Sequence, residues 1–346
     1  MNEVPALVLS RWAALAGRPS RRHGTGLIQD TFLVEGRAGP ALVQRLHPIF
    51  GAEVHQDILA VTRHLAGQGM PTPRLLPSDD GALCVEYSHP ERPLWRAMTF
   101  LEDTVAHDRM PSPTLAREAG ALVGRFHHAL RAFVYDYRFV RPGVHDTRRH
   151  LAALRGALER HPGHRLFPQV EPLARELLAR EPGLPSWDAL PLRHAHGDLK
   201  LSNLLFRASG EGLCLVDLDT VGLLPWPLEL ADALRSWCNP LGEDTAETVF
   251  SEAIFEASVE GYAREARGLV TPEERGMLVE ALVTICLELS ARFLADALEE
   301  RYFGWKPALF PTLGEHNLVR ARGQWALLQA VERRRGALEA TVRRSR

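Results

Sequence analysis

The chain has 346 residues, with 41 lysine and arginine side chains against 43 aspartate and glutamate side chains, for a formal net charge of −2. This balance argues against a protein that coats nucleic acid or an anionic membrane surface, because both partners require concentrated positive charge. Hydrophobic residues make up 45% of the chain and charged residues 24%, which is typical of a globular protein rather than a disordered or fibrous one. The length predicts two domains or lobes.

Lysine is rare in this chain. Among the 41 basic residues only Lys200 and Lys306 are lysines, and the others are arginines. A role that needs a compact ammonium group can therefore fall to only two positions.

Compartment and partners are constrained by what the sequence lacks. The four cysteines are widely spaced and form no CxxC pair, so we predict free thiols in a reducing compartment. The first residues do not have the basic and apolar regions of a signal peptide, and no stretch approaches the ~18 uninterrupted apolar residues of a membrane span. We therefore expect a cytoplasmic monomer or homodimer with no nucleic-acid or membrane partner.

The first hundred residues predict a small sheet with one helix. Residues 31–35 and 41–46 alternate as two strands joined by a Gly-Pro turn, and residues 53–68 place apolar side chains at helical spacing. Two further strands are predicted over residues 81–87 and 94–101. The order β-β-α-β-β predicts an antiparallel sheet with one packed helix, ending near Asp103.

From about residue 113 the pattern becomes helical. One polar, β-flavoured segment, residues 194–218, interrupts the helices. We therefore predict an α+β fold with a nucleotide-binding lobe of residues 1–103 and a mostly helical lobe of residues 104–346. The predicted helices cover 115–133, 151–158, 170–180, 246–266, 272–298 and 317–342.

The polar segment carries the strongest chemical signal. It contains His196-Gly197-Asp198, then Asn203, then Asp217, with apolar strand residues on both sides, and Asp219 follows it directly. Burying a hairpin that concentrates carboxylates and an amide is costly unless something satisfies them. A Mg²⁺ ion and phosphates would do so, since Mg²⁺ prefers a few carboxylate or amide oxygens together with substrate phosphates. An alternative is a surface turn followed by an edge strand, but the apolar flanks and the nearby Asp217 and Asp219 argue against it.

The spacing H-x-D-x-x-x-x-N is that of a kinase catalytic loop. We predict that Asp198 accepts the proton of the attacking hydroxyl and that Asn203 and Asp217 hold Mg²⁺ across the nucleotide phosphates. Lys200 would offset the charge of the phosphoryl group in transfer. Asp219 would lie on the same side of its strand as Asp217 and could take a second metal or a water. We call residues 194–221, which include this loop and the Asp217–Val221 segment, the catalytic hairpin.

These motifs resemble a known family. HGDLKLSNLLF at residues 196–206 with LVDLDTVG at 215–222 is similar to the aminoglycoside phosphotransferase and choline kinase superfamily, whose members share a bilobal protein-kinase-like fold. Further matching blocks between residues 24 and 324, such as DTFLV, LVQR, DALR and HNLVR, resemble the N-acetylhexosamine 1-kinase branch. The resemblance implies ATP and Mg²⁺ as cofactors and transfer of the γ-phosphate to the anomeric hydroxyl of an N-acetylhexosamine or a related sugar.

The nucleotide site is expected in the first lobe. Gly24 and Gly26 precede a strand and could cradle phosphates with backbone N–H groups, although a plain turn fits as well and the third glycine of the kinase loop is absent. Kinases usually carry a phosphate-binding lysine on their third strand, but the corresponding strand here, residues 41–46, has none. The phosphate contact must therefore come from Arg45, from Gln44 or from the backbone. We favour Arg45, paired with Glu53 or Asp57. Phe100, Leu101 and Glu102 would form the hinge that binds the adenine edge.

The acceptor is expected beside Asp198 on the second lobe. Candidate substrate-binding residues are Arg292, Asp296 and Tyr302, polar groups set among apolar ones, although ordinary helix-surface charge would look the same. Other acceptors remain open, including another sugar, an amino alcohol or an aminoglycoside. A nucleotide-binding pseudokinase is the less favoured alternative, because Asp198, Asn203 and Asp217 are all present.

Overall fold

The structure is a computed structural model that describes residues 3–24, 29–89, 92–141 and 143–345. The first part of the chain forms a mainly β lobe. Its elements in chain order are α1 (Ala6–Leu9), β1 (Ser20–Arg22), β2 (Asp30–Gly36), β3 (Gly39–Arg45), α2 (Val54–Gly67), β4 (Leu75–Leu76), β5 (Val85–Glu86) and β6 (Leu94–Thr99). The next strand, β7 (Thr104–Val105), pairs with residues 206–207 of the second lobe.

The first six strands form one antiparallel sheet. Its order is β1-β2-β3-β6-β4, with β5 paired to β6. The predicted β2–β3 hairpin, the helix α2 and the strand β6 are confirmed. The predicted strand over 81–87 shortens to β5, because Ser78 and Ala82 close a turn in which Gly81 adopts a φ of +85°. The two short strands β1 and β4 were not predicted.

The two faces of this sheet have different neighbours. On one face, Ala41 and Val43 of β3 are buried together with Phe32 and Trp95 beneath the N-terminal segment of residues 4–15. Trp12 ties that segment down by donating its indole N–H to the carbonyl of Leu76 at 2.8 Å. Because side chains alternate along a strand, Gln44 lies on the opposite face, toward the second lobe.

The second lobe is mostly helical. The long helix α9 lies at its centre and packs against α4, α6 and α10, while α3 packs against α7. The elements are α3 (Pro113–Leu130), α4 (Thr147–Arg160), α5 (Phe167–Leu178), β8 (Leu192–Ala195), β9 (Leu204–Arg207), β10 (Gly212–Leu215), β11 (Gly222–Pro225), α6 (Trp226–Trp237), α7 (Glu252–Glu265), α8 (Pro272–Gly276), α9 (Leu278–Glu299) and α10 (Leu313–Arg344).

Each of the six predicted helical segments contains a helix, with corrections to number and bounds. The helix predicted from residue 246 begins only after Ser251, whose hydroxyl caps the N–H of Ile254. The helix predicted over 272–298 is divided into α8 and α9 at Met277. Helix α6 was not predicted. No helix in the described part of the chain is long and apolar enough to cross a membrane.

Candidate active site

Two adjacent loops of the catalytic hairpin build the site. The first loop, residues 196–203, connects β8 to β9, and the second loop, residues 216–221, connects β10 to β11. Strand β9 pairs with β10 and strand β8 pairs with β11, in both cases antiparallel. The two loops therefore lie side by side. They are joined directly, because the N–H of Val216 donates to the carbonyl of Asn203 at 2.9 Å and the hydroxyl of Thr220 donates to the carbonyl of His196 at 2.8 Å.

The predicted catalytic residues come together across these loops. Lys200 Nζ lies 2.7 Å from Asp198 Oδ2 and 3.7 Å from Asp217 Oδ2. The amide nitrogen of Asn203 donates to the backbone carbonyl of Asp198 at 2.9 Å and to Asp198 Oδ2 at 3.2 Å. One ammonium and one amide are thus surrounded by two carboxylates.

The contacts of Asp198 in the described part of the chain leave one carboxylate oxygen available. Lys200 and Asn203 both contact Oδ2, and within the described residues no donor contacts Oδ1. The side chain is 31% exposed, so Oδ1 can be reached from the cleft. A carboxylate held through one oxygen and open at the other can orient a hydroxyl and accept its proton.

Electrostatics in this cluster favour a bound cation. Burial alone would lower the pKa of Lys200, but the carboxylates of Asp198 and Asp217 outweigh it and raise that pKa, so the side chain stays an ammonium. Burial raises the pKa of Asp217, and the negative charge of Asp219 adds to this effect. An additional cation beside Asp217 would relieve both effects.

The donor set suits Mg²⁺. Asp217 adopts a left-handed backbone conformation, with φ 64° and ψ 55°, and its side chain remains 38% exposed. No group of three or more His, Cys, Asp or Glu side chains in the described ranges forms a ready-made metal site. Magnesium does not require one, because it is held by one or two protein oxygens plus phosphates and water. Asn203 and Asp217 fit that requirement.

Asp219 does not fit the predicted metal-binding role. No strand continues through it, because the chain turns at Asp217 and forms a 3₁₀ turn over Leu218–Thr220. Its carboxylate is paired with both terminal nitrogens of Arg96 from β6, and Gln29 Nε2 also donates to it. Arg96 and Asp219 are each 1% exposed. Both oxygens are already occupied, so a metal ligand is not expected here.

Arg45 is placed away from the catalytic hairpin. It lies on the same face of β3 as Ala41 and Val43, and one of its contacts is an ion pair with Asp30 at 3.8 Å. The predicted pairing with Asp57 is wrong, because that carboxylate accepts hydrogen bonds from Tyr135 and from the backbone N–H groups of residues 138 and 139. The side chain of β3 that faces the second lobe is Gln44, which accepts a hydrogen bond from Arg96 at 2.8 Å.

The other residues predicted for the nucleotide site lie before β2 and after β6. Gly24 has a φ of +75°, the left-handed conformation that suits a tight turn, whereas Gly26 lies outside the described residues. Phe100 follows β6 directly and meets the ring of His23 edge-on at 5.4 Å. The carbonyl of Leu101 accepts the hydroxyl of Thr104 at 2.9 Å. Glu102 follows in the same connection, before β7.

The predicted substrate-binding residues gather at the C-terminal end of α9. Asp296 accepts backbone N–H groups of residues 301–303 and the side chain of Asn317, so it holds the turn after the helix. This structural use of both oxygens argues against a substrate-binding role. Tyr302 is 58% exposed beside that turn. The guanidinium of Arg292 lies 5.5 Å from the ring centre of Phe303 and 3.9 Å from Glu288.

A buried group that the sequence did not reveal connects this region to the catalytic loop. Glu288 of α9, 1% exposed, lies 3.4 Å from His145 and accepts the hydroxyl of Thr147 at 2.9 Å. Burial alone would lower the pKa of His145, but Glu288 and, more weakly, Asp232 raise it. Asp232 also raises the pKa of Lys200. The charge of Asp232, on α6, thus acts on both the catalytic loop and the Glu288 group.

A second buried carboxylate supports the first loop. Glu229, in the first turn of α6, accepts the backbone N–H of His196 at 2.7 Å and that of Gly197 at 3.1 Å. Burial alone would raise the pKa of Glu229, but the nearby His127 and His196 lower it. The sequence signal for this residue was available, since Pro225-Trp226-Pro227 followed by helical apolar spacing predicts a helix start.

Comparison with known proteins agrees with this geometry. Residues 20–267 match the phosphotransferase enzyme family. The chain belongs to that family. Within the family-matched region lie both loops and the whole of the first-lobe sheet.

Individual relatives are more distant. The chain is 29% identical over 213 residues to a homoserine kinase of Burkholderia multivorans, covering 58% of this chain and 59% of that protein, so it spans about three fifths of the relative's length. The crystal structure of an aminoglycoside phosphotransferase from Alicyclobacillus acidocaldarius has a TM-score of 0.62 at 17% identity and covers 96% of this chain and 97% of its own. A microcompartment-associated aminopropanol kinase gives the same TM-score, identity and coverage. These structures confirm the protein-kinase-like bilobal fold.

Proposed function

We propose that this protein transfers the γ-phosphoryl group of ATP to a hydroxyl group of a small organic acceptor. The observation that carries the proposal is the cluster of Asp198, Lys200, Asn203 and Asp217 on two loops that are hydrogen-bonded to each other. Membership of the phosphotransferase family supports it independently. The boundary between the lobes near residue 103 and the adenine contacts of Phe100, Leu101 and Glu102 remain parts of this proposal.

In the proposed reaction, Asp198 Oδ1 orients the acceptor hydroxyl and takes its proton. The acceptor oxygen forms a bond to the γ-phosphorus while the bond from that phosphorus to the β,γ-bridging oxygen breaks, and ADP leaves. Lys200 lies beside Asp198 and offsets charge on the phosphoryl group. Asn203 and Asp217 would hold Mg²⁺, which supplies charge neutralisation across the phosphates when bound. Catalysis then consists mainly of positioning and charge stabilisation.

For the acceptor, we infer an N-acetylhexosamine or related sugar as the first candidate, from the sequence blocks that resemble the N-acetylhexosamine 1-kinases. Arg292 and Tyr302 offer a cation and an aromatic face beside the turn after α9, as sugar recognition requires. Phosphorylation would then occur at the anomeric hydroxyl.

An amino alcohol is the second candidate. A protonated amine would need a carboxylate partner. The negative charge of Asp232 acts on Lys200 of the catalytic loop, and Glu288 lies 3.9 Å from the predicted substrate-binding residue Arg292. The similarities to a homoserine kinase and to an aminopropanol kinase favour the same chemistry.

An ATP-consumption assay over a panel of acceptors tests the proposal. The panel contains N-acetylglucosamine, N-acetylgalactosamine, other free sugars, homoserine, aminopropanol, choline and kanamycin. We expect turnover with at least one acceptor, and a loss of ~10²–10⁴-fold in Asp198→Asn while Mg·ADP binding measured by calorimetry is retained.

The possible negative results are distinct. Nucleotide binding without turnover on any acceptor would favour a pseudokinase, and absence of nucleotide binding would exclude the kinase proposal altogether. Turnover in Asp198→Asn at the wild-type rate would contradict the role given to Asp198.

A further inference from the structure

A row of polar side chains crosses the sheet of the first lobe and ends on the second loop of the catalytic hairpin. We propose that Arg96 is a positioning residue for the metal site: it holds Asp219 from across the cleft and so fixes the turn that presents Asp217 to Mg²⁺. This inference rests on the proposed phosphotransfer function and adds to it a residue on β6 to which no role has been given.

The strand register fixes where Arg96 points. Thr31 of β2 is paired with Gln44 of β3, and Gln44 is paired with Arg96 of β6. Directly paired residues of antiparallel strands project from the same face. Hydrogen bonds run along this row, because Gln44 Nε2 donates to the Thr31 hydroxyl at 3.1 Å and Arg96 Nε donates to Gln44 Oε1 at 2.8 Å. The guanidinium is thereby oriented before it meets the second lobe.

The other end of the guanidinium engages Asp219 in a two-point contact. Both terminal nitrogens contact the carboxylate, with the Nη2–Oδ2 contact at 2.9 Å, and Gln29 bridges the same two groups. A two-point arginine–carboxylate contact fixes orientation as well as distance. Because Arg96 and Asp219 are each 1% exposed, the pair is shielded from water and screened little by salt.

Holding Asp219 also constrains Asp217. The two residues are separated only by Leu218, and the turn between them combines a left-handed residue with a 3₁₀ turn. Leu218 is itself 2% exposed. With residues 218 and 219 both fixed, the remaining freedom of Asp217 is that of its own side chain, which is 38% exposed at the metal-binding position.

The surroundings of the pair leave Asp219 as the acidic partner of Arg96. Helix α2 packs against the 3₁₀ turn, and its nearest contribution is His55, which is fully buried. Burial, and then the charge of Arg96, lower the pKa of His55 to about 4, so it is neutral at physiological pH. Its Nδ1 is bonded to the carbonyl of Ala52 at 2.9 Å. Helix α2 thus contributes a neutral ring here, and its buried carboxylate, Asp57, is engaged by Tyr135 and two backbone N–H groups instead.

Calorimetric titration of ADP at a series of Mg²⁺ concentrations tests the inference without requiring turnover. The variants are Arg96→Gln, Asp219→Asn and the double variant. We expect each single variant to raise the Mg²⁺ concentration for half-maximal ADP affinity by about tenfold or more. We expect the double variant to resemble the more severe single variant, because both substitutions remove one shared interaction. Arg96→Lys, which keeps the charge but loses the two-point contact, should fall between wild type and Arg96→Gln.

A matched control separates positioning from general loss of an ion pair. Arg180 and Glu332 form a two-point pair in the second lobe, with contacts of 2.6 and 3.0 Å, outside the site. Arg180→Gln should leave the Mg²⁺ requirement unchanged. If Arg96→Gln does not fold because Asp219 is left buried and unpaired, the double variant, which carries neither charge, replaces it in the titration.

Two results would overturn the inference. One is a folded double variant with the wild-type Mg²⁺ requirement. The other is a double variant in which the effects of the two single substitutions on ADP affinity multiply, together with an Arg96→Gln variant that weakens ADP binding equally at all Mg²⁺ concentrations. That result would indicate direct contact between Arg96 and phosphate. Failure of the proposed function has a different signature, because wild-type protein itself would then show either no Mg²⁺-dependent ADP binding or no turnover with any acceptor.

Discussion

Replacing Gly197 with alanine tests how closely the two loops of the catalytic hairpin are held together. Gly197 directly precedes Asp198 and has a φ of +80°. A Cβ atom at this position would lie 2.4 Å from the backbone carbonyl oxygen of Thr220 and 3.1 Å from the Thr220 Cβ. The substitution therefore introduces both an unfavourable backbone conformation and a steric overlap between the loops.

The two penalties can be estimated separately. A left-handed backbone costs an L-residue ~1–2 kcal/mol relative to glycine. The carbonyl of Thr220 must also retreat by at least about 0.6 Å for the contact to reach 3.0 Å, and overpacking of this kind costs ~1–3 kcal/mol. The expected loss of stability is therefore ~2–5 kcal/mol in total. Because the displaced carbonyl belongs to the turn that follows Asp217, the metal ligand would move relative to Asp198.

Gly210 offers a matched control for the backbone penalty. It has a φ of +87°, and an added Cβ would meet only a side-chain carbon of Leu115 at 4.0 Å. Gly210→Ala should cost ~1–2 kcal/mol by denaturant titration and leave kcat unchanged. Gly197→Ala should cost more, and its kcat should fall by ~10²-fold, since a displacement approaching 1 Å has that effect on a positioned reaction. Equal stability losses and an unchanged kcat in Gly197→Ala would refute the close packing of the two loops.

Three further substitutions probe other parts of the second lobe. Glu229→Gln replaces an acceptor of two backbone N–H groups and should destabilise the protein by ~2–4 kcal/mol in denaturant titration while lowering kcat. Lys200→Ala should lower kcat more than nucleotide affinity, which steady-state kinetics and ADP calorimetry separate; loss of affinity alone would contradict its role in transfer. Asp244, paired with Lys306 and Arg320, has a pKa lowered to about 2 despite burial, so its stabilisation is present above pH ~4 and is lost as pH falls. The free energy of unfolding of the wild type should exceed that of Asp244→Asn by ~1–2 kcal/mol at pH 6 and by about half of that at pH 3, as measured by denaturant titration.

The sequence predicted those features that depend on local pattern. Strand alternation and the Gly-Pro turn located β2 and β3, and the spacing from His196 to Asn203 located the first loop, because each signal lies within a short continuous stretch of sequence. Helix α6 was missed although its proline-rich start is a local signal. The loop support that it provides through Glu229 was missed with it.

What the sequence did not predict depends on tertiary contacts. Asp219 and Asp296 were predicted to bind a metal and the substrate, but the structure shows other partners for both. Asp219 accepts hydrogen bonds from Arg96, which is distant in the chain, and Asp296 accepts them from the turn after α9, whose geometry was not predicted. Nothing in the sequence around His145 distinguishes it from an ordinary surface or packing residue. Its importance comes from Glu288, a residue 143 positions further along the chain that approaches it only when α4 and α9 pack together.

Strand β3 lacks the lysine that kinases usually carry on their third strand, and the sequence only partly predicts which residue replaces it. Alternation separates Gln44 from Arg45 without indicating which of them faces the second lobe, because that depends on the segment of residues 4–15 that covers the other face. Once the face is known, Gln44 cannot supply a cation, but it can orient one from the neighbouring strand. Arg96 is that cation, and its charge is directed to Asp219 of the second loop. In the expected pairing, Arg45 of β3 would have held a carboxylate of α2. In the structure, the buried cation is Arg96 of β6, and it holds Asp219 in the turn that carries Asp217.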